Sequence, residues 1–225
     1  MVEELSESAE LLARSERESA WREMAKQVAH EIKNPLTPMK LSVQHLQRAW
    51  KEQSPKLDGI MQRVSQTLIE QIDTLSNIAT EFSNFAKMPK ANNEEIDLSL
   101  ILKNSVALYS ENDTATISYY QHQNGNYQVF GDKDQLLRVF SNLLKNAIQA
   151  IPEGTQGHVH VEIKNENGWV IASVKDNGIG ISDGEAPKIF TPNFTTKTGG
   201  MGLGLAMVKN IVEQANGKVW FQSRF

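Results

Sequence analysis

His30 and Glu31 stand side by side in the run Ala29-His30-Glu31-Ile32-Lys33-Asn34-Pro35-Leu36. Near physiological pH a neutral imidazole has a free lone pair on one ring nitrogen, and a carboxylate beside it can hold the proton on the other and raise its basicity. That is a nucleophile with its orienting group, the arrangement that covalent catalysis uses. Glu next to His is also common on ordinary helices, so the pair alone leaves a solvated reading open. His45, His122, His158 and His160 have no comparable setting and read as solvated polar residues.

Two glycine clusters carry a different chemistry. Asp176-Asn177-Gly178-Ile179-Gly180 follows a strand-like run, where an Asp can accept from an exocyclic amine while glycines admit a flat ring to the backbone. Thr198-Gly199-Gly200-Met201-Gly202-Leu203-Gly204-Leu205 opens a helical run. Glycines at 200, 202 and 204 bring backbone amides against phosphates, and a helix N-terminus adds favourable partial charge. Neither cluster is the G-x-G-x-x-G fingerprint or the P-loop. Asn142 and Asn146 lie one helical turn apart among Leu143, Leu144, Ala147 and Ile148. Burying two amides unpaired is costly, so they either cap backbone or meet a ligand. An amide oxygen suits magnesium, which takes few protein oxygens and keeps phosphates and waters.

Positioning these groups requires helices first. From Val28 the apolar positions are Val28, Ile32, Leu36, Met39, Val43, Leu46 and Trp50; after Gln53-Ser54-Pro55 a second stripe runs Ile60, Val64, Leu68, Ile72, Leu75, Ile78, Phe82 and Phe85. Steps of three and four predict a helical hairpin, with a coiled-coil lead-in over residues 1–19. At about 100° per residue, His30 lies about 200° from both Val28 and Ile32 and so faces water, with Asn34 one turn further on the same face. Pro35 and Pro38 remove the amides that would bond the carbonyls of Glu31 and Asn34, which lets the helix bend just beyond His30. Two narrow facing stripes leave apolar flanks, and pairing two hairpins into a four-helix bundle covers them, which predicts a homodimer. Packing of the helices on the rest of their own chain is the alternative.

The polar run Met88 to Glu95 reads as a linker, with residues 89–95 separating a hairpin domain of 20–88 from a second domain of 96–225. There the pattern predicts a helix capped by Asp97 to about Ser110, strands over Thr116–Gln121 and Tyr127–Phe130, and a helix from Asp132 to Ile151. Strands His158–Lys164 and Trp169–Asp176 follow, joined by a turn at Asn165-Glu166-Asn167-Gly168. A helix from about Leu203 to Asn216 and a last strand over Lys218–Gln222 complete an α+β fold.

The chain has 225 residues, 23 Lys plus Arg against 27 Asp plus Glu, a net charge of −4 and 40% hydrophobic residues. These are proportions of an ordinary globular protein, and the weak acidic balance argues against a sequence-independent grip on nucleic acid or an anionic membrane. With no Cys there is no disulfide, thiolate metal site or cysteine nucleophile, which fits a cytoplasmic setting. No stretch approaches the roughly 20 apolar residues of a membrane span.

Taken in order, these residues resemble the sensor histidine kinases of two-component signalling. His30-Glu31-Ile32-Lys33-Asn34-Pro35-Leu36 resembles their phosphoacceptor box, Asn142-Leu143-Leu144-Lys145-Asn146-Ala147 the N box and Asp176-x-Gly178-x-Gly180 the G1 box. Phe190-x-x-x-Phe194 resembles the F box and Gly200-x-Gly202-x-Gly204 the G2 box. Leu36-Thr37-Pro38-Met39-Lys40-Leu41-Ser42 further resembles the NtrY-type nitrogen-regulation kinases.

The resemblance implies a dimerisation and histidine-phosphotransfer hairpin followed by a Bergerat-type ATP-binding α/β sandwich. It implies an autokinase that phosphorylates His30 and passes the phosphoryl group to an Asp of a response-regulator receiver domain, with phosphatase activity toward that regulator. Glu31 would be the acid/base partner and Asn34 would position water or the acceptor. Asn146 would coordinate Mg²⁺ with Asn142 in support, and Asp176 would read the adenine amine between Gly178 and Gly180. Lys197, Gly200, Gly202 and Gly204 would belong to the lid over the phosphates of ATP, tethered by Phe190 and Phe194. Such kinases usually have sensory, often membrane-anchored segments upstream and a closing strand after residue 225, so the chain reads as a cytoplasmic fragment. Two rivals stand beside this: a dimeric scaffold that binds ATP without phosphotransfer, and an ATPase of the same nucleotide-binding fold. The ATPase relatives carry a catalytic Glu where Asn142 stands.

Overall fold

The computed structural model describes residues 2–86, 91–123, 125–192, 194–196 and 201–224, with side chains from Ala25 onward apart from Gln27, Glu81 and residues 84–86. The chain divides into two compact units, Met1–Lys87 with Thr195–Met201, and Met88–Phe194 with Gly202–Phe225.

The first unit is the expected hairpin of α1 (Val2–Lys51) and α2 (Leu57–Ala86). Helix α1 ends on a left-handed Gln53 (φ 48°). The Ser54 N–H donates to the Ala49 carbonyl at 3.0 Å and the Gln53 N–H to that of Trp50 at 3.2 Å. This is the paired closure by which a helix satisfies its last carbonyls. Next to the turn, Ala49, Ile60 and Val64 are buried, with Leu46, Leu57 and Leu68 packed on them. Small Ala49 faces α2 there, and Trp50, assigned to the seam from spacing, is 70% exposed. Trp50 is turned about 100° from Ala49 around the helix, which carries its side chain off the side that meets α2. Ile32, Leu36, Val43 and Ile72 of the expected seam are exposed as well, so α1 carries a second apolar face beside the one that meets α2. The Phe85 side chain lies outside the described residues. Both prolines lie within α1, and the Thr37 hydroxyl donates to the Lys33 carbonyl at 3.1 Å beside them.

The second unit packs three helices, α3 (Leu98–Ala107), α4 (Lys133–Gln149) and α5 (Gly204–Gln214), on one face of a mixed sheet. Its strands are β2 (Ala115–Gln121), β4 (Gly157–Glu166) and β5 (Trp169–Asp176), in the order β2-β4-β5. β2 runs parallel to β4 (Tyr119 opposite Val161), and β4 antiparallel to β5 (Val161 opposite Val174). Alternation along β4 buries Val159, Val161 and Ile163 completely against Leu102, Leu144 and Val208 of the helices and turns His158, His160 and Glu162 to solvent. The β4–β5 turn is the two residues Asn167 (φ 53°) and Gly168 (φ 79°), a left-handed pair that suits the twist of a tight hairpin.

Two elements differ from expectation. A strand β1 (Glu94–Asp97) begins inside the polar stretch read as a linker and pairs antiparallel with β3 (Gln128–Gly131). Only Ile96 in that run is apolar, and the pairing is made across more than 30 residues, so no local pattern announces it. The expected last strand, Lys218–Gln222, forms no ladder. Lys218 Nζ sits instead 5.6 Å from the ring centre of Trp169 at the start of β5, and just past the run Ser223 Oγ accepts the N–H of Ile181, in the loop after β5, at 2.8 Å.

Candidate functional site

Helix α4 is the spine of the site. Asp132 caps it by accepting the Gln135 N–H at 3.0 Å, and Leu136, Val139, Phe140, Leu144 and Ala147 bury its core face. Asn142 and Asn146 share a half-buried flank. The Asn142 amide NH₂ donates to the Arg138 carbonyl at 2.9 Å, one turn back, which orients the side chain. Its oxygen points at the first residue of α5: a β-carbon built on Gly204 would stand 2.8 Å from Asn142 Oδ1 and 3.9 Å from Asn146 Nδ2. A glycine at 204 is therefore what lets the N-terminus of α5 come against both amides. The residue that precedes α5, Leu203, supplies no side-chain cap, so the first N–H groups of the helix are not satisfied by one.

The other end of α4 holds the turn after β5. Asp176 Oδ1 accepts the Gly178 N–H at 2.9 Å and the Ile179 N–H donates to the Ala150 carbonyl at 2.9 Å. A β-carbon on Gly178 would meet the Ala150 carbonyl oxygen at 2.5 Å, and Gly180 has φ 74°. Asn177 locks the turn to β4 from the other side: its Oδ1 accepts the His158 N–H at 2.7 Å and its amide donates to the Gln156 carbonyl at 3.0 Å. Asp176 and the pair of Asn side chains are thus held to one helix at fixed backbone points. Gly202 (φ 64°) abuts the backbone of Phe194, and Phe190 meets Phe221 edge-on at 6.1 Å. Lys197 and Gly200 lie outside the described residues.

Two residues of this turn carry features that the sequence did not single out. Ile179 is 63% exposed between Gly178 and Gly180, an apolar surface at the place proposed for a flat ring. Its signal was an aliphatic residue between two glycines. Asn177 acts through the backbone of β4, and no spacing within the motif reveals that partner.

His30, Glu31 and Asn34 belong to α1, in the first unit. His30 and Asn34 are exposed, Glu31 is half-buried and Pro35 is buried. The helix thus presents an imidazole and an amide one turn apart on its solvent side.

Residues 20–90 match the His Kinase A (phospho-acceptor) domain, and residues 131–225 match the Histidine kinase-, DNA gyrase B-, and HSP90-like ATPase family. The nitrogen regulation protein NtrY of Azorhizobium caulinodans is 31% identical over 96% of this chain and 28% of its own length. The sensor histidine kinase ZraS of Escherichia coli is 34% identical over 95% of this chain and 45% of its own. The chain spans about a quarter to a half of the length of the curated relatives it matches. Among solved structures, the nucleotide-free catalytic domain of histidine kinase ThkA is 30% identical, covers 57% of this chain and 86% of its own, and superposes with a TM-score of 0.51. ThkA in complex with the response regulator protein TrrA covers 91% of this chain and 58% of its own at 25% identity and a TM-score of 0.62. The two matched families follow one another along the chain, and the chain belongs to the histidine kinase family.

Proposed function

We propose that this chain is the core of an ATP-dependent protein-histidine autokinase, divided into a coiled-coil lead-in (1–19), a phosphotransfer hairpin (20–88), a linker that ends before β1 (89–93) and a catalytic domain that starts with β1 (94–225). The observation that carries the reading is the junction at Gly204, where the N-terminus of α5 lies against Asn142 and Asn146. An uncapped helix end beside two amides suits a polyphosphate, and Asp176 on the neighbouring turn suits the exocyclic amine of adenine.

Asn146, supported by Asn142, would hold Mg²⁺; the donor set fits, because magnesium accepts one amide oxygen and fills its remaining positions with phosphate and water. When bound, the ion neutralises phosphate charge. His30 attacks the γ-phosphorus with its unprotonated ring nitrogen, the N–P bond forms as the bond to the β,γ-bridging oxygen breaks, and ADP departs. Glu31 takes the proton from the imidazole. Positioning and electrostatics supply most of the rate enhancement. The backbone at Gly202 and Gly204 comes against the phosphates, and Gly178 and Gly180 admit the base; Lys197 and Gly200, expected beside them, lie outside the described residues.

The phosphoryl group then passes to an Asp of a response-regulator receiver domain, a partner supported by the ThkA–TrrA complex. Asn34 orients the water that removes it again. Two hairpins pair through the second apolar face of α1, giving a homodimer. No helix among the described residues is long and apolar enough to cross a membrane, which suits a cytoplasmic core of a membrane-associated sensor.

Transfer of label from γ-labelled ATP to His30 tests the reading. The parent chain acquires an acid-labile, alkali-stable phosphoramidate, and His30→Gln acquires none while binding ATP as before. Nucleotide binding with no label on His30 would replace the autokinase by an ATP-binding scaffold.

A further inference from the structure

Asp132 does more than cap a helix. Its Oδ1 accepts the Gln135 N–H at 3.0 Å, as an N-cap should, and its Oδ2 accepts the backbone N–H of Asn92 at 2.7 Å, 40 residues earlier in the chain. The two oxygens of one carboxylate therefore tie the start of α4 to the backbone just ahead of β1, near the start of the second unit. Two residues after Asn92 the β1 ladder begins, with Glu94 opposite Gly131, the residue just before Asp132. Burial pushes the Asp132 carboxyl up, but the N–H groups of Gln135, Asn92 and Asp134 together with Arg138 outweigh it and hold it below the ordinary aspartate value. The carboxylate is ionised at neutral pH and each of these bonds is charge-assisted.

Tethering at Asn92 changes how far the catalytic unit can travel from its hairpin. From Ala86, the last residue of α2, to Asn92 there are six Cα–Cα steps; without the Asp132 bond the next ladder-held residue is Glu94, eight steps away. At about 3.5 Å per step the maximal reach grows from roughly 21 to roughly 28 Å. The volume open to the tethered unit rises as the cube, about 2.4-fold, and its local concentration around the acceptor histidine falls accordingly.

We propose that Asp132 is a positioning residue for autophosphorylation: by clamping Asn92 it shortens the tether between the phosphoacceptor hairpin and the catalytic unit and couples that tether to the helix carrying Asn142 and Asn146. The inference rests on the autokinase reading. It applies equally to transfer within a protomer or between protomers, because both require the catalytic unit to find a histidine at the far end of the same tether.

Capping and clamping are separable by substitution. Asn is as good an N-cap as Asp, so Asp132→Asn keeps an oxygen for Gln135 but turns an amide NH₂ toward the Asn92 N–H, a donor against a donor. Asn92→Pro removes the N–H and leaves the cap untouched. In the whole chain, each variant is compared with the parent for MgATP affinity by calorimetry, thermal midpoint, and the rate of His30 labelling at saturating ATP. Labelling is expected to slow by about two- to threefold in both variants, with ATP affinity within twofold of the parent, and the double variant is expected to be no slower than either alone. Parent-like labelling by both variants overturns the clamp. So does a loss of ATP affinity as large as the loss of rate, which marks Asp132 as a structural cap only. Absence of label on the parent overturns the autokinase reading itself, a result distinguishable from either.

Discussion

The carboxamide oxygen of Asn142 and the backbone of Gly204 lie so close that a β-carbon on residue 204 would stand 2.8 Å from that oxygen, nearer than carbon and oxygen normally pack. Asn142 cannot swing aside at no cost, because its NH₂ is bonded to the Arg138 carbonyl. Gly204→Ala is therefore expected to push α5 from α4 and to weaken MgATP binding at least tenfold, which is about 1.4 kcal/mol. Removing the opposing side chain should relieve part of this. Gly204→Ala combined with Asn142→Ala is expected to regain thermal stability over Gly204→Ala alone, a coupling that calorimetry of the four proteins in a double-mutant cycle would read. Additive losses would mean that the two residues do not interact.

Asn34 shares the solvent side of α1 with His30, and its amide can both donate to and accept from a water. Asn34→Ala is expected to lose most phosphatase activity toward the phosphorylated regulator while keeping autokinase activity within about threefold, since the nucleophile and the nucleotide site are untouched. A phosphatase assay on purified phospho-regulator beside the parent decides it; unchanged dephosphorylation removes Asn34 from the mechanism.

Ile32, Leu36, Val43 and Trp50 form an exposed apolar row on α1, and Met61 and Ile72 are exposed on α2. Burying a Val or Ile side chain is worth roughly 1.5–3 kcal/mol, so a charge at such a position in a dimer seam is poorly tolerated. Val43→Glu with Ile72→Glu is expected to convert the chain to a monomer at micromolar concentration by sedimentation, with ATP binding by the second unit retained. A dimer that survives both charges would place the subunit contact elsewhere.

On the solvent face of the sheet, Glu162 Oε1 lies 2.6 Å from His122 Nε2. That bond, with the nearby His122, His160 and Lys164 side chains, outweighs burial and holds the Glu162 carboxyl below the ordinary glutamate value. A depressed folded value contributes stability above the unfolded pKa, near 4.3, and that contribution is lost as pH falls through the folded value. Glu162→Gln should accordingly flatten the acid limb of the stability curve below about pH 5. Both side chains are about a third or more exposed, so the difference at neutral pH should be under about 1 kcal/mol. Urea titrations across that pH range check the slope.

The two helices of the hairpin, the β4–β5 hairpin and helix α4 were legible in the residues alone because each is written in local periodicity: steps of three and four along Ile60 to Phe82, alternation along Val159 to Ile163, an Asn-Gly pair at the turn. The placement of the candidate site residues was legible for a similar reason, since helix geometry by itself turns His30 and Asn34 outward and keeps Asn142 and Asn146 on one flank. Tertiary structure decided what those patterns do not encode. The pairing of β1 with β3, the choice of Ala49 over Trp50 at the hairpin turn, the lock of Asn177 on β4 and the bond from Asp132 to Asn92 all join residues that are far apart in sequence or compete for one space. Contacts of that kind depend on volume and on which backbone groups remain unpaired once the core has closed, and a hydrophobic period carries neither.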